Sequence, residues 1–349
     1  MEIRSLFDPR LRTKEARAVS GTSRTRRIAL VAACVLVALL VLPLLWPVPP
    51  LEDTVTARSL ADSDSRFVKI DGLDVHYKAW GLPSSPATEG VETAAVLLHG
   101  FGASTYSWGE VAEPLSARMP VIAFDRPAFG LSERPLDWTG PNPYAPETQA
   151  DLTVKMMDEL GIRRAVLVGH SAGGTVAALV VQRYPDRVEA VVLEDPAIFA
   201  GGPPAFLTPL FRTPQFMRLG PLFARNLGGQ AGTDFIRSAW HDPSKITSET
   251  LTEYRKPLRV RDWDSALWLL TIAPRPTNVP DVVRGINVPA LFITGDDDRI
   301  VPPEDTERAA ALVDGAELVI VEQSGHIPHE EQPAAFLAAV TAFLDGRAD

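Results

Sequence analysis

The hydrophobic pattern divides this chain into two unequal parts. Residues 28–46, IALVAACVLVALLVLPLLW, run nineteen positions without a charge. As a helix rising ~1.5 Å per residue that run reaches roughly 28 Å, close to the ~30 Å of a bilayer's hydrocarbon core. From Arg66 onward the apolar residues come instead in short bursts. Phe67–Ile70 and Val75–Trp80 flank Asp71-Gly72, a hairpin signal. Ala94–Leu98, Val121–Phe124, Ala165–Val168, Val188–Leu193, Ala290–Thr294 and Glu317–Val321 read as strands, most of them continuously apolar and so buried on both faces. Between them, helical spacing covers about Thr105–Arg118, Pro146–Leu160, Thr175–Tyr184, Pro303–Val313 and Pro333–Leu344. Such alternation predicts an α/β fold: a mostly parallel sheet with helices on both faces.

One long interruption breaks the alternation. Residues 197–284 are rich in Phe, Leu, Trp, Arg and Pro, with apolar-faced helices expected at Phe206–Phe211, Pro221–Leu227 and Trp263–Leu270. An insertion this long inside a compact domain is usually functional, and a helical cap is expected. The chain therefore parses as a basic tail (1–27), an anchor (28–46), a Pro-rich linker (47–65), a core in two parts (66–196 and 285–349) and the cap between them.

Charge sharpens the first part of that parse. The formal net charge is −10, but residues 1–27 carry eight Lys or Arg against three Asp or Glu, or +5, which leaves −10 − 5 = −15 for the remainder. An acidic body argues against a nucleic-acid partner. Arg24, Arg26 and Arg27 precede the apolar run and Trp46 closes it, so the N-terminus is expected in the cytoplasm and the body outside the cell membrane. The rival is a secreted protein released by signal cleavage, but the run is long for a signal peptide and no small-residue cleavage site follows closely. The single cysteine, Cys34, precludes an intrachain disulfide and a Cys-based zinc site.

The chemistry sits at the ends of the strands, where open α/β sheets bind ligands. LVGHSAGG, Leu167–Gly174, brackets Ser171 as G-x-S-x-G where a strand turns into a helix. There the small residues permit a tight, strained turn that exposes the serine beside the helix N-terminus. LLHGFGAS, Leu97–Ser104, offers a glycine-rich turn whose N–H at Phe101, with that of Ala172, suits a developing oxyanion. His99 is expected to brace this loop. ITGDDDRIVP, Ile293–Pro302, supplies three adjacent aspartates, and EQSGHIPHEEQP, Glu322–Pro333, supplies His326, with His329 expected in the following loop. A serine needs a histidine to take its proton, and the histidine needs a carboxylate to fix its tautomer.

With HGFG, FDRPAFGLSERP (Phe124–Pro135), GHSAGG, GDDDRIVP and SGHIPHEEQP in this order, the chain resembles the α/β-hydrolase superfamily, in its branch of capped esterases, lipases and C–C bond hydrolases. The resemblance covers roughly Arg66–Leu344 apart from the cap. It implies Ser171 as nucleophile, His326 as base and Asp298 as the acid among the three aspartates. One departure stands out: the family's P-G-F-G reads Pro127-Ala128-Phe129-Gly130 here. Dehalogenases and epoxide hydrolases of this fold carry an aspartate where Ser171 stands. C–C hydrolases resemble G-N-S-x-G-G, from which His170 departs. The expected activity is hydrolysis of a small, apolar carboxylic ester, with no metal or organic cofactor. The alternatives are a C–C bond hydrolase or a non-catalytic binding module of the same fold.

Overall fold

The computed structural model describes residues 9–83, 90–199, 201 and 205–346. A long helix, α1 (Pro9–Leu45), leads into an eight-stranded sheet. Its strands are β1 (Arg66–Ile70), β2 (Leu73–Trp80), β3 (Val91–Leu98), β4 (Val121–Phe124), β5 (Ile162–His170), β6 (Val188–Glu194), β7 (Ala290–Gly295) and β8 (Glu317–Val321). They lie in the order β1-β2-β4-β3-β5-β6-β7-β8. The β1–β2 and β2–β4 pairs are antiparallel, and every pair from β4–β3 to β7–β8 is parallel. Asp71 and Gly72 both take positive φ (49° and 87°), the backbone of a two-residue turn that matches strand twist.

Side chains of the central strands alternate between two cores. Ala94, Val96 and Leu98 of β3 face one helix layer, made by α3 (Pro146–Glu159) and α4 (Ala172–Arg183). Ala95 and Leu97 face the other, which buries Trp108, Val111 and Leu115 from around α2 (Gly109–Ser116). The sheet is thus covered on both faces, which explains the unbroken apolar strands.

Two strands begin earlier than their apolar runs. β3 starts at Val91 and β5 at Ile162, ahead of the expected Ala94 and Ala165. Their first turns carry charges that neighbouring strands satisfy, Arg163 on Glu92 and Arg164 near Glu189, so polarity there does not mean loop.

Between β6 and β7 lie α5 (Thr208–Phe211), α6 (Pro214–Ala224), α7 (Gln230–Ser238), α8 (Ser248–Arg255), α9 (Trp263–Thr271) and α10 (Val279–Arg284). Helices α7 and α8 have no counterpart in the apolar pattern of the sequence. Within the segment read as cap, α10 behaves differently: Val279, Val282 and Val283 are buried in the main core. The closing elements are α11 (Pro303–Ala310), the single turn α12 (Pro328–Glu331) and α13 (Pro333–Asp345).

The second half of the segment read as a linker is tied down. Val55 exchanges backbone hydrogen bonds with Arg259 and Arg261, and Asp62 pairs with Lys256 at 2.6 Å. Within α1, Arg24–Leu45 is long and apolar enough to cross a membrane, and none of it is buried against the body.

Candidate active site

The strand-to-helix turn after β5 is built as its small residues require. Ser171 sits at φ 52°, ψ −117°, a strained region for a side-chain-bearing residue, immediately before α4. A Cβ on Gly173 would lie 2.0 Å from the Leu98 carbonyl oxygen, and one on Gly169 would lie 2.7 Å from that of Gly173. Glycine is therefore required at both places for α4 to close on β3 and β5. The turn is held by bonds from the Ser171 N–H to the Glu194 carbonyl (2.9 Å) and from the Ala197 N–H to the Ser171 carbonyl (3.1 Å). As the first residue of α4, Ala172 has no carbonyl one turn back to accept its N–H.

The glycine-rich loop after β3 passes directly over this turn. A Cβ on Gly100 would sit 2.7 Å from His170 Nδ1 and 3.2 Å from Ser171 Cβ. Phe101, next in the chain, lines the same cavity as Ser171 and His326. His99 braces the loop. Its Nε2 accepts the Arg126 N–H at 3.1 Å, so Nδ1 carries the proton and donates to the Gly100 carbonyl at 2.8 Å. Burial and the Arg126 charge lower its pKa to about 3, so this imidazole stays neutral. Arg126 itself grips the His99 and Gly100 carbonyls.

The three aspartates after β7 separate cleanly. Asp296 accepts the Ser324 N–H at 3.1 Å. Asp297 faces outward to His241 and Arg299. Only Asp298 reaches His326, with Oδ2 2.7 Å from Nδ1, while its Oδ1 accepts the N–H groups of Ile300 and Val301 at 2.7 and 3.0 Å. Both residues are buried, His326 at 5% exposure, and His326 opens onto a cavity of about 100 Å³ lined also by Ser171, Phe101, Phe235, Trp240 and Ile327.

Several contributors were not legible beforehand. His170 holds the carbonyl of His326 through Nε2 at 2.7 Å. Burial, then the neighbouring His326 and His329, keeps its pKa well below 6.5. Glu331 accepts the N–H groups of Gly325, His241 and Asp242 at 2.9, 2.9 and 2.8 Å, clamping the His326 loop to the cap. Nothing in its spacing within EQSGHIPHEEQP marks it as a clamp. Asp125, after β4, accepts the Thr105 and Leu131 N–H groups and pairs with His76, all at 2.7 Å. Although burial opposes ionisation, the His76 pair and the backbone donors win and lower its pKa to about 2. His329 lies in α12, fully buried, with Nδ1 2.7 Å from Glu194.

Asp195 stands beside Asp298 at the end of β6. Burial first, then the Asp298 and Glu194 charges, push its pKa well above 3.8. The neutral form of Asp195 is thereby favoured, and its Oδ1 accepts from the Thr294 hydroxyl at 2.6 Å. Asp195, Asp298 and His326 form the one metal-compatible cluster among the described residues, their ligand atoms within 4.8 Å of one another. Asp298 and His326, however, spend those atoms on each other.

Comparison with known proteins fits this architecture. Residues 94–333, more than half of the chain, match the family profile described as alpha/beta hydrolase fold. An uncharacterized hydrolase of Bacillus subtilis, YugF, is 28% identical over 288 residues, covering 81% of this chain and 99% of that protein. The 2-hydroxy-6-oxononadienedioate/2-hydroxy-6-oxononatrienedioate hydrolase of Burkholderia vietnamiensis is 29% identical over 311 residues, covering 84% and 99%. Among solved structures, a membrane phospholipase A described as a bacterial virulence factor aligns with TM-score 0.60 at 24% identity, covering 96% of this chain and 98% of that one. The uncovered 4% is shorter than α1, so that alignment extends into the N-terminal helix. The chain belongs to the α/β-hydrolase fold family and is a hydrolase of that fold.

Proposed function

We propose that the chain is a membrane-anchored serine hydrolase that cleaves apolar carboxylic esters. One observation carries the reading: Ser171 and His326 line a single cavity, with Asp298 bonded to the far nitrogen of that imidazole at 2.7 Å. His326 Nε2 takes the proton of Ser171 Oγ as the oxygen attacks the ester carbonyl carbon. Asp298 holds the Nδ1–H tautomer and stabilises the imidazolium. The N–H groups of Phe101 and Ala172 receive the oxyanion. His326 then protonates the leaving alcohol, and water, deprotonated by the same imidazole, releases the acid from Ser171. Phe101, Phe235, Ile236, Trp240, Ile300 and Ile327 give the cavity an apolar wall, which supports an apolar acyl or alcohol group. The basic flank of Arg24–Leu45 supports a cytoplasmic N-terminus with the catalytic body outside.

A second reading, hydrolysis of a C–C bond, is favoured by the 29% identity to the Burkholderia enzyme. The full chain in detergent micelles, assayed on p-nitrophenyl esters of graded chain length and on a 2-hydroxy-6-oxo dienoate, separates the two. The ester reading expects turnover of the esters and fluorophosphonate labelling that vanishes in Ser171→Ala, with activity down by several orders of magnitude. Turnover of the dienoate alone would reject it.

A further inference from the structure

The cap carries a surface that the catalytic reading does not use. From Pro196 to Thr233 the chain has no Asp or Glu, although its net charge is −10. The same stretch holds Arg212, Arg218 and Arg225 among exposed apolar side chains: Phe206 (79%), Leu210 (47%), Met217 (39%) and Phe223 (60%). An acidic protein that gathers arginines and bare aromatic residues on one helical layer has a surface suited to an apolar phase edged by anions.

The height of that surface is fixed by α1. Gln215 Nε2 donates to the Leu40 carbonyl at 2.8 Å, Arg218 to that of Trp46 at 3.1 Å and Arg225 to that of Pro49 at 2.9 Å. Helix α6 therefore runs alongside α1 in the same sense, with its N-terminal end lowest. Leu40 lies six residues inside Trp46, roughly 9 Å of helix rise at ~1.5 Å per residue. If α1 spans the bilayer with Trp46 at the interface, the α5–α6 junction reaches the depth of an interfacial helix, whose apolar face enters about 5–10 Å. Phe206 and Leu210 lie just before that junction.

We infer that the α5–α6 face of the cap is seated in the outer surface of the same bilayer that holds α1, with Phe206, Leu210 and Met217 among the acyl chains and Arg212 and Arg218 at the lipid phosphates, while Arg225 is paired with Asp264 at 2.8 Å. The inference rests on the anchor reading. It also orients the catalytic cavity. The Ser171 cavity shares Phe101, Phe235, Ile236 and Tyr254 with a second one that extends to Leu227, immediately beyond α6. An ester dissolved in the bilayer thus has an apolar route to Ser171 beside the seated face.

Site-directed fluorescence quenching tests this on the full chain in vesicles of phosphatidylcholine and phosphatidylglycerol containing nitroxide-labelled lipid. Bimane on the native Cys34 reports the anchor. In a Cys34→Ser background, bimane on Phe206→Cys or Leu210→Cys reports the cap, and on Asp314→Cys the opposite end of the sheet. The expected result is lipid quenching at 34, 206 and 210 but not at 314. Quenching at 34 with 206 and 210 as unaffected as 314 overturns the seating and leaves the anchor standing. No quenching at 34 rejects the anchor and the seating together. As a second arm, the double variant Phe206→Ser/Leu210→Ser is expected to slow turnover of a vesicle-borne ester about tenfold while leaving a short water-soluble ester unaffected, because two buried apolar contacts with lipid are lost. Equal rates on the vesicle-borne ester overturn the inference even if the protein is anchored.

Discussion

Two buried carboxylate–imidazole pairs lie side by side behind the carboxyl ends of the strands. Asp298–His326 and Glu194–His329 have the same 2.7 Å separation. Each has a serine in reach of the set, Ser171 on the wall shared with His326 and Ser107 with Oγ 2.8 Å from His329 Nε2. What separates them is what stands on the far side. His326 faces a cavity. His329 is fully buried, stacked on Trp108 at 4.3 Å, and Ser107 is occupied in turn by Glu330, which also accepts from Tyr254 at 2.5 Å. Burial alone would discharge His329, but Glu194 outweighs it and raises the pKa above 6.5. His329 is enclosed by Glu194, Ser107 and Trp108, which leaves no room for a substrate beside its ring. Acid–histidine geometry therefore does not identify chemistry; an open neighbour and a free nitrogen do.

The largest expected effect breaks that comparison at the histidines. His326→Gln should lower kcat by about 10⁴ or more with Tm near wild type, because it removes the base and little packing. His329→Gln should do the reverse. It leaves Glu194 buried without its partner, a loss of about 3–5 kcal/mol by analogy with broken buried pairs, while kcat of the folded fraction stays within about tenfold. Thermal melts and ester kinetics on the two proteins decide; a dead but stable His329→Gln would contradict the division of roles.

The carboxylates give the next test. Asp298→Asn should reduce kcat by up to about 10⁴, since an amide can turn its NH2 toward His326 and favour the wrong tautomer. Asp195→Asn, one strand over, should cost less than about threefold, because burial and the Asp298 and Glu194 charges favour the neutral form of the carboxyl it replaces and asparagine tolerates the positive φ of 43° at that position. A large loss in Asp195→Asn would show that Asp195 must ionise.

Fold and site were unequally legible. The sheet, its hairpin turn and the helices beside it follow from apolar bursts and glycines, because burial on two faces leaves a strong sequence signature. The selection of Asp298 from three aspartates came through resemblance, since their extended neighbours differ only in which way they point. Glu331, His170 and Asp195 went unread because each acts through contacts with residues far along the chain, such as Glu331 with Gly325 and His241. The cap's α7 and α8 were missed for a related reason. They are short, half-buried helices in which little of the pattern is apolar.

A smaller, pH-dependent effect sharpens the contrast. Because the folded pKa of His329 is raised, its charge stabilises the fold fully below pH 6.5, and that contribution fades as pH rises through the raised value. The nearby Glu330, also raised by burial, acts in the same direction from pH 4.5 upward. The gap in urea midpoint between wild type and His329→Gln should therefore be wider at pH 6 than at pH 9. A gap that widens with pH would mean the buried imidazole is neutral.

The smallest expected effect concerns the loop that bears the family departure. Ala128 takes φ 80°, where glycine is favoured, yet it is buried and packs with Tyr144, Ala266 and Trp268. Ala128→Gly would relieve roughly 1–2 kcal/mol of left-handed strain. Against this it would lose about 0.8 kcal/mol for one buried methyl and about 0.4–1 kcal/mol through a freer unfolded chain. The terms nearly cancel, so Tm should move by no more than about 2–4 °C, the shift expected of 1 kcal/mol in a domain of this size. That balance explains how alanine holds a position where the family uses glycine. The same tolerance does not extend two residues on, where Gly130 has φ 49° and a Cβ would lie 1.8 Å from Asp125 Oδ2. Gly130→Ala should displace the carboxylate that anchors Thr105 and Leu131, and melt well below Ala128→Gly. Equal melting of the two variants would show that backbone strain, rather than room beside Asp125, sets the choice of residue in this loop.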